Sequence, residues 1–105
     1  MKLKSMLEEK FGSTLPVSGG MGRSIDDAII LHRGTLKDYV SLIHYILRYI
    51  TSTEHKLYRL KKQSLIKKNG RVYDCIEIST TIIGSDHVAT GNEAYYFDIT
   101  EQFPG

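Results

Sequence analysis

The segment HKLYRLKKQSLIKKNGRVYDCIEISTTII, residues 55–83, reads as two long β-strands joined at Asn69-Gly70. Asn-Gly between two such runs is the strongest short hairpin signal, because a two-residue turn of the favoured kind requires positive φ at both positions. A two-residue turn also fixes the register. It sets Lys62 opposite Glu77, Ser64 opposite Cys75, Leu65 opposite Asp74, Ile66 opposite Tyr73 and Leu57 opposite Ile82, and it puts Val72, Ile76, Ile78 and Ile82 on one face. An apolar sheet face needs a cover, so this face is expected to meet a helix.

The helix lies immediately upstream. Thr35 followed three residues later by Asp38 is a variant of the capping box, and Leu36, Tyr39, Val40, Ile43, Ile46, Leu47 and Ile50 then share one face, so a helix ending near Thr51 is expected. Leu42, Tyr45 and Tyr49 form a second apolar stripe on its flank, more than one sheet face would cover. Farther upstream, residues 25–33 carry signals of both kinds: Ile29, Ile30 and Leu31 favour a buried strand, whereas Ser24 with Asp27, and Gly34, resemble helix caps; the strand is the preferred reading. Residues 12–24 are broken by glycine, serine and Pro16 and read as a loop. Leu3, Met6, Leu7 and Phe11 recur at helical spacing, with Gly12 as a stop, and predict a short N-terminal helix.

Downstream of the hairpin, a polar loop over 84–93 leads to a last strand over 94–100. The expected architecture is therefore α+β, a largely antiparallel sheet of about four strands packed on one long helix, with a short N-terminal helix and the order α-β-α-β-β-β.

Composition sets the bounds. A chain of 105 residues with 41% hydrophobic and 25% charged residues suits one folded domain, spanning 1–105, without metal or disulfide support. Cys75 is the single cysteine, which excludes an intrachain disulfide and suits a reducing compartment. Glu8, Glu9 and Lys10 interrupt the apolar run that a signal peptide needs, and no segment reaches the length of a membrane span, so a cytoplasmic protein without membrane contact is expected.

Net charge is only +2, but it is unevenly spread: residues 55–71 hold seven Lys and Arg and no acid, while residues 72–105 hold six acids and no Lys or Arg. Cross-strand pairing with Asp74 and Glu77, together with edge-protecting lysines, accounts for the basic run, which argues against a nucleic-acid partner.

Two segments stand out as candidate sites. In the loop Gly19, Gly20, Gly22, Arg23 and Ser24, glycines can expose amides and Arg23 can supply charge to an anion, although the spacing fits neither a Walker loop nor a dinucleotide loop. The flank Leu42, Tyr45 and Tyr49 is either covered by the N-terminal helix or offered to a protein, since tyrosines are enriched at interfaces.

The remaining chemistry-bearing residues form no recognisable constellation. His32, His44, His55 and His87 have no metal-ligand spacing, with Asp86, His87 and Asp98 the nearest approach to a cluster. Cys75 has acidic neighbours in sequence, where a nucleophilic thiol needs positive ones. Asp26-Asp27 and Glu8-Glu9 are read as surface or cap residues; adjacent strand residues point to opposite faces. No catalytic residue, metal or cofactor is expected. The leading expectation is a small non-catalytic protein-binding module, of the inhibitor, adaptor or immunity type, or a homodimer. The alternatives are a small-molecule or anion-binding domain, even an enzyme, built on residues 18–24, and nucleic-acid binding by the basic hairpin.

Overall fold

The computed structural model describes residues 17–32, 39–83 and 88–102. The strands are β1 (Val17–Gly19), β2 (Ile29–Leu31), β3 (Lys56–Lys68), β4 (Arg71–Ile83) and β5 (Val88–Asp98); the helix α1 spans Tyr39–Thr53, and a 3₁₀ turn covers Thr100–Gln102. The class is α+β, with one helix among the described residues and a five-stranded sheet in the order β1-β2-β5-β4-β3. Neighbours are antiparallel except β2 and β5, which are parallel. The sheet is thus mixed and one strand wider than expected. The N-terminal helix expected over 2–11, and the capping pair Thr35 and Asp38, lie outside the described residues.

The hairpin forms as expected at its tip. Asn69 and Gly70 adopt φ of 52° and 77°, and the register matches Lys62 with Glu77, Ser64 with Cys75, Leu65 with Asp74 and Ile66 with Tyr73. A bulge between Leu60 and Lys62 then shifts the pairing by one residue, so Leu57 lies opposite Thr81 and Lys56 opposite Ile82. One extra residue in one strand does this, and no sequence signal marks where it falls.

Boundaries also differ from expectation: β2 forms only at Ile29–Leu31 of the segment 25–33, and β5 ends at Asp98, two residues early. β1 occupies part of the segment read as a loop: Val17 is buried on the core side and pairs with Leu31, but three residues are too few to display a strand's alternation. β5 begins at Val88 and not at residue 94. Its first half reads as a loop because Thr90, Gly91 and Asn92 are exposed, yet their backbones pair with Thr81, Thr80 and Ser79. The helix runs two residues past Thr51. The Thr51, Ser52 and Thr53 hydroxyls donate back to the carbonyls of Leu47, Tyr49 and Ile50, and His55 in the left-handed region (φ 58°) follows the end.

The core lies between α1 and one face of the sheet. Ile43, Ile46, Leu47 and Ile50 of the helix meet Ile76 and Ile78 of β4, Tyr95 and Phe97 of β5, and Ile29 and Leu31 of β2. Of the four β4 residues expected on this face, Ile76 and Ile78 are buried and Val72 is partly buried, whereas Ile82 is 42% exposed. Asp74 is fully buried on the same face. Gln63 Nε2 donates to its Oδ2 at 2.7 Å, its Oδ1 has no hydrogen-bond partner, and burial pushes its carboxyl above the usual range.

Candidate functional site

The glycine loop connects β1 to β2 and folds onto itself. The amides of Gly20 and Gly22 donate to the carbonyls of Ala28 (3.1 Å) and Asp27 (2.8 Å), and the amide of Met21 donates to Asp27 Oδ2 (3.1 Å). Ser24 Oγ accepts from the Asp27 amide, and the Gly22 carbonyl accepts from the Tyr96 amide at 2.7 Å, which ties the loop to β5. Gly20 is required for space: a Cβ there would lie 1.7 Å from Asp27 Oδ1 and 2.6 Å from the Asp27 carbonyl oxygen. The three consecutive amides of Gly20, Met21 and Gly22 are therefore spent within the loop, beside a carboxylate.

Arg23 leaves this loop and reaches across to β5. Its Nη1 donates to Glu93 Oε1 at 2.7 Å and to the Tyr95 hydroxyl at 2.9 Å, with the guanidinium carbon 4.9 Å from the centre of the Tyr95 ring. Tyr95 in turn donates to Glu93 Oε1 at 2.9 Å, and Lys56 Nζ donates to Glu93 Oε2 at 2.9 Å while lying 3.8 Å from Glu54. Strand alternation explains the pairing of Glu93 with Tyr95, since residues two apart share a face.

Burial alone would push the Glu93 carboxyl up, but hydrogen bonds from Lys56, Arg23 and Tyr95 outweigh it and hold it at about 2. Burial and the adjacent Glu93 carboxylate push the Tyr95 hydroxyl up to about 12. Near neutral pH both groups keep their protonation state.

This cluster forms one wall of an open cleft of about 420 Å³. Met21, Tyr49 and Ile50 line the apolar side; Arg23, Lys56 and Glu93 line the polar side. Of the helix flank, Leu42 is buried in the core, Tyr49 is partly buried at the cleft, and Tyr45 is 60% exposed, one turn from Tyr49. At 100° per residue, Tyr45 and Tyr49 lie on one side of the helix and His44 on the other, where His44 Nδ1 is 3.1 Å from the Tyr58 hydroxyl on β3. The structure therefore brings Arg23, from one sequence candidate, and Tyr49, from the other, to the same cleft.

Glu93 and Tyr95 escaped the sequence reading, and Lys56 entered it only as part of the basic run. Glu93 fell in the segment read as a loop, and nothing local links it to Arg23, seventy residues away; the only available hint was an acid two residues before an aromatic on a strand. The remaining candidates stay apart. Cys75 is a buried free thiol on the opposite face of the sheet, and among the described residues no group of three or more His, Cys, Asp or Glu side chains is placed to hold a metal ion. Asp86 and His87 lie outside the described residues. No helix among the described residues is long and apolar enough to cross a membrane. Comparison with protein-family models, with curated proteins and with solved structures found no match.

Proposed function

We propose that this chain is a small non-catalytic binding module that docks a protein partner on the Tyr45–Tyr49 flank of α1, with an apolar side chain of the partner anchored in the cleft beside Arg23. The observation that carries this reading is the convergence of Arg23 and Tyr49 on one open cleft, with Tyr45 exposed next to it. An apolar pocket with an aromatic wall and a polar rim is the usual form of an anchor site at protein interfaces. The electrostatics favour holding over proton transfer. A general acid or base works best with a pKa near the working pH, and Glu93 at about 2 and Tyr95 at about 12 both lie far from neutral.

The reading is tested by placing the photo-crosslinker p-benzoylphenylalanine at position 45, and at position 57 as a control, in the full chain in its native cells. A discrete adduct from position 45 that is absent from position 57, and that weakens with Arg23→Ala, is the expected result. If position 45 gives no adduct, or the two positions give the same one, the flank is not the docking site. An adduct at twice the chain mass would identify the partner as a second copy.

A further inference from the structure

The acids that balance the basic run in sequence meet it mainly at its two ends, Lys56 and Arg71, and only Glu77 stands opposite a cation of its middle, across from Lys62. Asp74 lies on the helix side of the sheet, buried and bonded to Gln63; Glu93 is held by Arg23 and Lys56, Asp98 by Arg71, and Glu101 by His32. Among the described residues, no ion pair engages Arg59, Lys61, Lys62, Lys67 or Lys68.

The register also sorts these cations by face. Cross-strand partners share a face, so the rows Arg59–Ser79–Asn92, Lys62–Glu77–Ala94, Ser64–Cys75–Tyr96 and Ile66–Tyr73–Asp98 all lie on the side of the sheet away from α1. Lys68 and Arg71 pair at the end of the same face, and Lys61 Nζ reaches Asn92 Oδ1 there at 3.3 Å. Arg59, Lys61, Lys62 and Lys68 thus border this face along the outer strand of the sheet, with Glu77 the one carboxylate in the adjoining positions of β4. Tyr73 and Tyr96 stand inward of them on neighbouring strands, each partly exposed.

We infer that this face, opposite α1, binds single-stranded nucleic acid, with the phosphates following the β3 cations and bases stacking on Tyr96 and Tyr73. A cationic track with aromatic platforms is how sheet surfaces hold single strands without reading sequence. A single strand fits better than a duplex, because stacking needs exposed base faces. The site is separate from the cleft, which lies on the other side of the sheet.

The test is fluorescence anisotropy of the full chain with a labelled 20-mer of deoxythymidine and with a 20-base-pair duplex. Binding of the single strand at 50 mM KCl should weaken roughly 50-fold at 200 mM, the loss expected for about four phosphate contacts. Arg59→Gln, Lys62→Gln and Lys68→Gln together should lower affinity at least ~10-fold and flatten the salt dependence. Tyr96→Leu should lower it ~5-fold or more with the salt dependence unchanged, and Tyr96→Phe should restore it, because stacking and not the hydroxyl is used. Tyr73→Leu supplies the same measurement should Tyr96→Leu lose its folded circular dichroism. No binding at 50 mM KCl, tighter binding of the duplex, or tyrosine variants that match the wild type while polyglutamate competes equally would each overturn the inference; the last would identify the face as a dock for acidic protein segments.

Discussion

The two faces of the sheet are built from the same strands by different rules. On the α1 side, Ile76, Ile78, Tyr95 and Phe97 are almost wholly excluded from water, and two strand carboxylates there, Glu93 and Asp74, have opposite fates: Glu93 is fully bonded and held ionised, while Asp74 is half-bonded and its carboxyl is pushed up. On the other side, Ser79, Glu77, Tyr73 and Tyr96 remain partly exposed, and the flanking lysines and Arg59 face solvent. The comparison separates positions where packing dictates the residue from positions where the residue is available for contact with something else.

Substitutions sharpen the contrast. Phe97→Ala should have the largest effect, about 3–5 kcal/mol of lost stability in denaturant melts, because it opens a cavity in the most enclosed part of the core. Glu93→Gln should cost about 2–3 kcal/mol at neutral pH, since it leaves Arg23 and Lys56 without their shared carboxylate. Its pH signature is specific. A carboxyl whose folded pKa is about 2 stabilises the fold above its unfolded value near 4.3 and loses that contribution as pH falls toward 2. The wild type should therefore lose stability through that window, and Glu93→Gln should flatten the curve.

Asp74 should behave in the opposite sense. Its carboxyl is raised in the folded state, so the fold binds its proton more tightly than the unfolded chain does, and this group costs stability as pH rises above the unfolded value of about 3.9. Asp74→Asn should raise stability at neutral pH by about 1 kcal/mol, by removing a buried charge with an unpaired oxygen. If that variant is instead destabilised in thermal melts, the ionised Asp74 contributes favourably to the fold.

The smallest effect belongs to the side away from α1. Leu57→Ser, at a residue 61% exposed, should change stability by less than about 0.5 kcal/mol. A larger loss would mean that this side of β3 is covered.

Legibility in the sequence followed range. The hairpin tip and the helix were readable because each rests on a local rule, Asn-Gly for the turn and helical spacing from Tyr39 to Ile50, whereas the apolar run Ile29-Ile30-Leu31 favoured a strand against competing helix-cap signals. Where a rule applied only in part, boundaries slipped, as with the first half of β5, whose exposed residues pair through the backbone alone. The candidate site was legible in halves. Arg23 stood out because of its glycine neighbours and Tyr49 because of its spacing from Tyr45, but their shared cleft depends on a helix, a loop and a strand separated by many residues.

By itself the sequence determined the long helix and the hairpin with its register from 62 to 77, which follow from backbone preferences and side-chain periodicity, and it carried the uneven distribution of charge. Tertiary structure alone decided that β2 lies parallel to β5, that a bulge re-registers β3, and that Arg23 shares Glu93 with Lys56. Each of these is a contact between distant segments, and which charges neutralise one another depends on distance and face in the folded chain, neither of which a linear order of residues contains.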